Sequence, residues 1–220
     1  MKNKTLIILF LVISSMTVRA QWRIGVTGGT AYNVFSMNKE YLTDYTINGR
    51  WGVTLGISGQ YNFCNWFGVR ADLNWTQKNY RVHRVAISQM DHRYRNDYLQ
   101  LPLMASFSFG GQRLRGFCNL GFYGGYWLSS HRHGTDYNNH SDYTYGFSEK
   151  VEFNSEKDKR WDCGLIGGIG LEYRIAPHWA LQAELRYYYS TTSTTKQYMR
   201  VKDYRYNATT ALQLGASYVF

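Results

Sequence analysis

Eight segments of this chain alternate apolar with polar or small residues at period two, which puts each apolar set on one face of a β-strand. In order they are Trp22-Ile24-Val26, Trp51-Val53-Leu55-Ile57-Tyr61-Phe63, Phe67-Val69-Ala71-Leu73-Trp75 and Leu99-Leu101-Leu103-Ala105-Phe107-Phe109. The second half adds Leu120-Phe122-Tyr126-Leu128, Trp161-Cys163-Leu165-Ile169-Leu171-Tyr173, Trp179-Leu181-Ala183-Leu185-Tyr187 and Leu212-Leu214-Tyr218-Phe220. Beyond the N-terminal segment, no apolar run approaches the roughly 20 residues that a membrane-crossing helix needs. A chain with 20 Tyr, 11 Phe, 7 Trp and only 2 Pro suits strands better than helices.

The connections alternate in length. Cys64-Asn65-Trp66, Gly110-Gly111-Gln112-Arg113 and Ala176-Pro177-His178 are tight turns, whereas about 36–49, 78–96, 130–160 and 191–206 are long and polar. With an even number of strands, both ends of the strand region and all tight turns lie on one side. Every long loop lies on the other. This is the asymmetry of short periplasmic turns and long extracellular loops seen in outer-membrane barrels.

Aromatic residues gather at both levels: Trp22, Phe63, Trp66, Phe67, Phe109, Phe117, Tyr173, Trp179 and Phe220 near the turns, and Tyr32, Trp51, Trp75, Trp127, Trp161 and Tyr187 near the loops. Amphipathic rings favour the headgroup level, so two girdles are predicted to flank one apolar band. The opposite strand faces carry Arg23, Gln60, Arg70, Asp72, Asn74, Gln100, Asn119, Glu172, Arg174, Gln182, Glu184, Arg186 and Gln213. A soluble lipocalin-type barrel has the reverse polarity. The predicted fold is therefore all-β: an eight-stranded antiparallel up-and-down transmembrane β-barrel with short periplasmic turns and four long extracellular loops.

Eight strands leave an interior just wide enough for side chains to fill. The doublets Arg70/Asp72, Glu172/Arg174 and Glu184/Arg186 are predicted to pair there and plug the lumen, which argues against a narrow channel. Residues 1–20 read as a secretory leader, with Lys2 and Lys4, an apolar run from Leu6 to Ile13, and Val18 and Ala20 before a cut at Gln21. Residues 21–220 then form the barrel domain. Removing the leader's Lys2, Lys4 and Arg19 lowers the formal charge from +10 to +7. Cys64, Cys118 and Cys163 are read as unpaired small apolar residues.

The end of the chain, with Phe220 last and Tyr218, Leu214 and Leu212 at alternate positions before it, resembles the signature read by the outer-membrane barrel assembly machinery. Asn96-Asp97-Tyr98-Leu99-Gln100-Leu101-Pro102-Leu103-Met104 looks like the hallmark strand of the outer-membrane barrel family typified by PorT. The Gly-rich strands Asn119–Tyr126 and Asp162–Tyr173 are similar to it as well. This resemblance implies an integral outer-membrane barrel. The family typically has Glu where this chain has Gln100, and no residue here matches a motif specific to protein export, the role of the name-giving member. Pro102 fits such a strand where a ladder bond is lost.

Activity is expected in the loops. Lys78, Arg81, Arg84, Arg93 and Arg95 in the second, and Lys196, Arg200, Lys202 and Arg205 in the fourth, interleave with Tyr and are candidates for contacts to lipopolysaccharide phosphates. A protein or glycan partner is the related possibility; no nucleic-acid partner and no cofactor is implied. In the third loop His131 and His133 share a face if the chain is extended, and His140 or Asp142 would complete a metal site, although the spacing is loose. A lipid-modifying enzyme needs a histidine base beside a nucleophile. His140-Ser141-Asp142 and His83 are the candidates, and neighbouring loop residues rarely reach that geometry. The expected role is structural or surface-interacting rather than enzymatic.

Overall fold

The computed structural model describes residues 21–37, 44–87, 89–138, 142–196 and 205–220. The leader, Arg200, Lys202, His140 and Ser141 lie outside the described residues. Among the described residues ten strands form: β1 (Gln21–Met37), β2 (Tyr45–Asn62), β3 (Phe67–Gln77), β4 (Tyr80–Arg84), β5 (Asp91–Gly110), β6 (Leu114–Asn138), β7 (Tyr143–Lys150), β8 (Trp161–Ala176), β9 (Trp179–Ser190) and β10 (Arg205–Val219).

The eight predicted strands make a ring. Each is antiparallel to the next, and β10 returns to β1 through Arg23↔Val219 to Met37↔Arg205. Strands β3 and β4 are one barrel strand broken at Lys78-Asn79, since both lie between β2 and β5. The break is pinned on both sides: Lys78 N donates to Asn96 O at 2.8 Å and Asn96 Nδ2 to Lys78 O at 3.1 Å. Among the described strands β7 pairs with β6 alone, and it widens the wall on the loop side.

The strands run further outward than the sequence pattern predicts. Segments assigned to loops at 78–96 and 130–160 hold β4, β7, the start of β5 and the end of β6. A sheet of β2, β4, β5, β6 and β7 thus stands above the membrane.

Sidedness follows the alternation. Leu101 is 59% exposed, Ile169 63% and Leu214 64%, whereas Arg70 is 2% exposed and Arg186 0%. Trp75↔Leu99↔Tyr126↔Trp161 forms one cross-strand row of the outer girdle. At the turn end, rings touch in sequence from Trp22 through Tyr61, Phe63, Phe67 and Phe107 to Trp66. From Leu99 to Phe109 is about 34 Å of strand. A tilt of about 40° converts this to about 26 Å along the membrane normal, the height of the apolar band in such barrels.

Two aromatics depart from the predicted girdles. Phe117 is buried on the inward face. Trp127 continues the inward series Asn119, Tyr123 and Gly125 of β6 and stacks on the buried Tyr98 at 5.7 Å; the β5–β6 register shift between Asp97 and Tyr98 reverses the alternation only beyond Leu128. Pro102 sits where the β3–β5 register has no pair, between Ala71↔Leu103 and Asn74↔Gln100, so its missing N–H breaks no ladder bond. The three cysteines are free.

Candidate functional site: a charged lumen and an outward basic face

Inside the ring, charges meet at three levels. In the middle, Arg70 Nε donates to Asp72 Oδ1 at 2.9 Å, and Arg186 Nη2 lies 2.7 Å from both Asp72 Oδ2 and Glu184 Oε2. Arg70 Nη1 reaches Glu184 at 3.4 Å, and Asn119 Nδ2 donates to the other Glu184 oxygen at 2.7 Å. The Arg70/Asp72 and Glu184/Arg186 doublets therefore merge into one quartet. At this depth each carboxylate needs more than one donor to offset desolvation, and the quartet supplies them.

The third doublet does not pair. Glu172 is taken by Arg23 from across the lumen, and Arg174 forms no ion pair among the described residues. The sequence places Glu172 and Arg174 on one face, but the stagger of the ring decides which guanidinium reaches the carboxylate.

Lys78 is likewise not an outer-loop cation. It is fully buried, and Nζ donates to Asp162 Oδ2 at 2.5 Å. Its ammonium lies 4.9 Å from the Tyr98 ring centre and 5.2 Å from that of Tyr123. Asp162 also accepts from Tyr123 Oη at 3.2 Å and Ser190 Oγ at 2.5 Å. Arg205 shares the inward alternation of Asn207 and Thr209 and lies within electrostatic reach of Tyr80, so it too faces the mouth rather than lipid. Lys196 donates to Ser155 O at 2.7 Å on a neighbouring loop.

The remaining predicted lipid contacts are divided by alternation along β4 and β5. Tyr80 stacks on Phe35 at 4.4 Å and on Tyr94 at 4.7 Å. Phe35 alternates with the inward Asn33, so Tyr80 and Tyr94 face the mouth. Arg81, Arg93 and Arg95 then face outward. Register extends this face across the sheet in two rows, Arg81↔Arg93↔His133↔Ser148 and Arg95↔His131↔Lys150. Arg84 falls on the opposite face, held by Asp44 and lying 5.6 Å from the Tyr45 ring centre.

Asp91 is the acid set among these cations and is bound by both Arg81 and Arg93. Burial works to raise its pKa, but the two guanidiniums outweigh it and hold the carboxyl below its usual range. Asp44 is lowered in the same way by Arg84. A groove of about 530 Å³ opens beside this face, lined by Asp91, Arg93, His133, Thr135, Phe147 and Ser148 together with Gly134 and Gly146. Gly134 has φ +155°, and a Cβ there would sit 1.8 Å from Asp91 O, so glycine lets β6 pass this close to β5.

On the mouth side, Arg132 is bound by Glu149, and His92 lies edge-on to Phe147 at 5.0 Å and 3.8 Å from Asp136. Burial keeps the His92 imidazole below its ordinary pKa. His131 and His133 share a face as predicted, but that face belongs to the cationic rows. Among the described residues, no three His, Cys, Asp or Glu side chains form a metal-ligand group. His131, His133 and Lys150 were absent from the predicted lipid contacts; the signal that finds them is the Tyr143-Tyr145-Phe147 alternation, which marks β7.

A family model described as an outer membrane protein beta-barrel domain matches residues 14–196. Among solved structures, OprG of Pseudomonas aeruginosa aligns with 90% of this chain and 95% of its own, at 13% identity and a TM-score of 0.54. The attachment invasion locus protein Ail of Yersinia pestis aligns over 90% and 98% at 17% identity, with a TM-score of 0.44. Neisserial surface protein A aligns over 89% and 96% at 14% identity, with a TM-score of 0.45. No curated protein sequence matches. The OprG likeness supports the fold and the family match covers most of the strand ring: the chain belongs to the outer membrane protein β-barrel domain family and resides in the bacterial outer membrane.

Proposed function

We propose that this protein is a surface-interaction module whose outward basic face holds phosphate groups of lipopolysaccharide in the surrounding outer leaflet. The observation that carries this reading is the pair of rows Arg81–Arg93–His133 and Arg95–His131–Lys150, which face away from the lumen. Arg95 lies four residues beyond Leu99 of the outer girdle, about 13 Å along the strand and about 10 Å along the normal. That is headgroup height. The Asp91 pairs with Arg81 and Arg93 are partly exposed. Such pairs contribute about 1 kcal/mol or less, so a phosphate with several oxygens competes for the same donors.

The test uses protein refolded into phosphocholine bilayers, titrated with the deacylated, bisphosphorylated disaccharide of lipid A. Saturable, salt-sensitive binding is expected, weakened about tenfold or more when Arg93, Arg95 and Lys150 are all changed to Gln. Equal binding by that variant overturns the reading.

In this reading the chain is not a lipid-modifying enzyme. His83 lies across from Thr46 and Asp91, and both Asp91 oxygens are engaged by guanidiniums, so this acid does not orient a histidine base. Turnover of labelled lipid A that disappears in His140→Ala would defeat it. The buried charges of the lumen support a plugged barrel. Leu212, Leu214, Tyr218 and Phe220 face lipid on the last strand, which supports recognition of that strand by the assembly machinery. The narrower kinship with PorT-typified barrels rests on Leu99, Leu101 and Leu103 facing lipid while Gln100 and Met104 face inward; no export role is attached to it.

A further inference from the structure

The inner mouth of the ring holds more guanidinium than carboxylate. Arg23 on β1 crosses the lumen to Glu172 on β8, and this contact consumes the acid. Arg115 stands directly opposite Glu172 in the β6–β8 register, and Arg174 is two residues along β8 on the same inward face. Arg115 is close enough to feel the charges of Glu172, Arg23 and Arg174 together. Its Nη2 donates to Asn65 O in the first tight turn, which fixes the side chain at the rim. Arg174 N donates to Arg113 O at 2.8 Å, tying the two neighbouring strands together there.

Among the described side chains, three inward guanidiniums therefore face one carboxylate, an excess of two positive charges in a mouth whose other inward residues, such as Gln60, Gln182 and Ser217, are neutral. Each of the three also keeps a buried Nε–H with no acceptor, and Arg23 is itself only 7% exposed. Buried donors left unmade carry a desolvation penalty, most of all on a charged group. An oxyanion removes both the charge excess and the unmet donors. Guanidinium is also the side chain best matched to its oxygens.

We propose that Arg23, Arg115 and Arg174 form a phosphate-class oxyanion site at the periplasmic mouth, filled from the aqueous side. The three face the lumen rather than lipid, so the ligand is a free phosphate or phosphate ester rather than the headgroup of a surrounding phospholipid. This site lies at the opposite end of the barrel from the outward basic face and stands independently of it.

The experiment titrates inorganic phosphate into refolded protein in uncharged micelles and follows the arginine Nε–Hε resonances by NMR. Saturable shifts in a small set of these signals are expected. Arg115→Gln with Arg174→Gln should weaken binding at least tenfold, with the heat-modifiable gel shift reporting that the barrel still forms. The Arg93/Arg95/Lys150→Gln variant should bind as wild type does. Glu172→Gln, which removes the competing carboxylate, should tighten binding. No saturable shift, or shifts unchanged by loss of Arg115 and Arg174, overturns the proposal. Displacement of phosphate by phosphatidylglycerol added to the micelles overturns its aqueous source.

Discussion

Lys78 and Asp162 meet at 2.5 Å across the lumen, joining the break between β3 and β4 to the first turn of charge on β8. The ammonium has Tyr98 and Tyr123 beside it, and neither charge reaches solvent. Removing one partner leaves the other buried and unpaired, which costs about 3–5 kcal/mol. Lys78→Met and Asp162→Asn should each lower stability by that order in denaturant unfolding from micelles. The double change to Lys78→Met with Asp162→Leu should recover most of the loss. A double variant as unstable as the singles combined would show that the pair itself, rather than the stranded charge, carries the effect.

The lipid-facing wall gives a second expectation. Leu101 and Leu165 face outward near mid-membrane, whereas Gln100 and Ile166 beside them face the lumen. Arginine at Leu101 or Leu165 should destabilise the folded, bilayer-inserted state by about 2–4 kcal/mol, the depth-dependent cost on the lipid face of such barrels. Equilibrium unfolding from lipid vesicles measures it. A cost below about 1 kcal/mol at both sites would place these residues near an interface or inside.

The central quartet predicts electrical silence. Arg70, Asp72, Glu184 and Arg186 meet in the middle of the ring with side chains almost wholly buried. Wild-type protein in planar bilayers should show no resolvable current. Truncating all four to Ala should admit ions, since it removes both the charge clamp and the volume it occupies. Steady current from the wild type would contradict a filled lumen.

The sidedness of the wall was legible because it needs only alternation, which survives without knowledge of any partner strand. Lys78 is within reach too, since it continues the inward series Arg70, Asp72, Asn74 and Thr76 by one step, although the apolar alternation that marks the strand ends at Trp75. Trp127 was legible as well, because it falls one residue off the outward set of Tyr126 and Leu128. Alternation does not encode the shift beyond Leu128, which turns His131 and His133 outward and depends on how β5 and β6 align. The pairing of Glu172 with Arg23 was hidden for a related reason. Contacts across a barrel are set by stagger and tilt, which no single strand encodes. The outward basic face is half visible in the sequence: its arginines stand out among the tyrosines, but the hairpin that adds Lys150 and aligns His131 with Arg95 lies in a polar stretch that carries a loop's composition.

Asp91 sets the final expectation, a dependence on pH. Its carboxyl is held below the usual value of about 3.9, so across the neutral range it stays charged and occupies Arg81 and Arg93. A depressed folded-state pKa means this contribution to the outer sheet is fully present above the unfolded value and is lost as pH falls through the folded one. Protonation also releases both guanidiniums. Binding of the lipid A disaccharide should therefore strengthen as pH drops below the ordinary carboxylate range, over the same interval in which the sheet loses that stabilisation. Asp91→Asn should reproduce the gain at neutral pH, by several-fold, and flatten this acid-side dependence. Titrations of both proteins between about pH 3 and 7, compared at fixed ionic strength, decide it: a variant that binds no better than wild type at pH 7 would mean that Asp91 does not compete with the phosphate for these arginines.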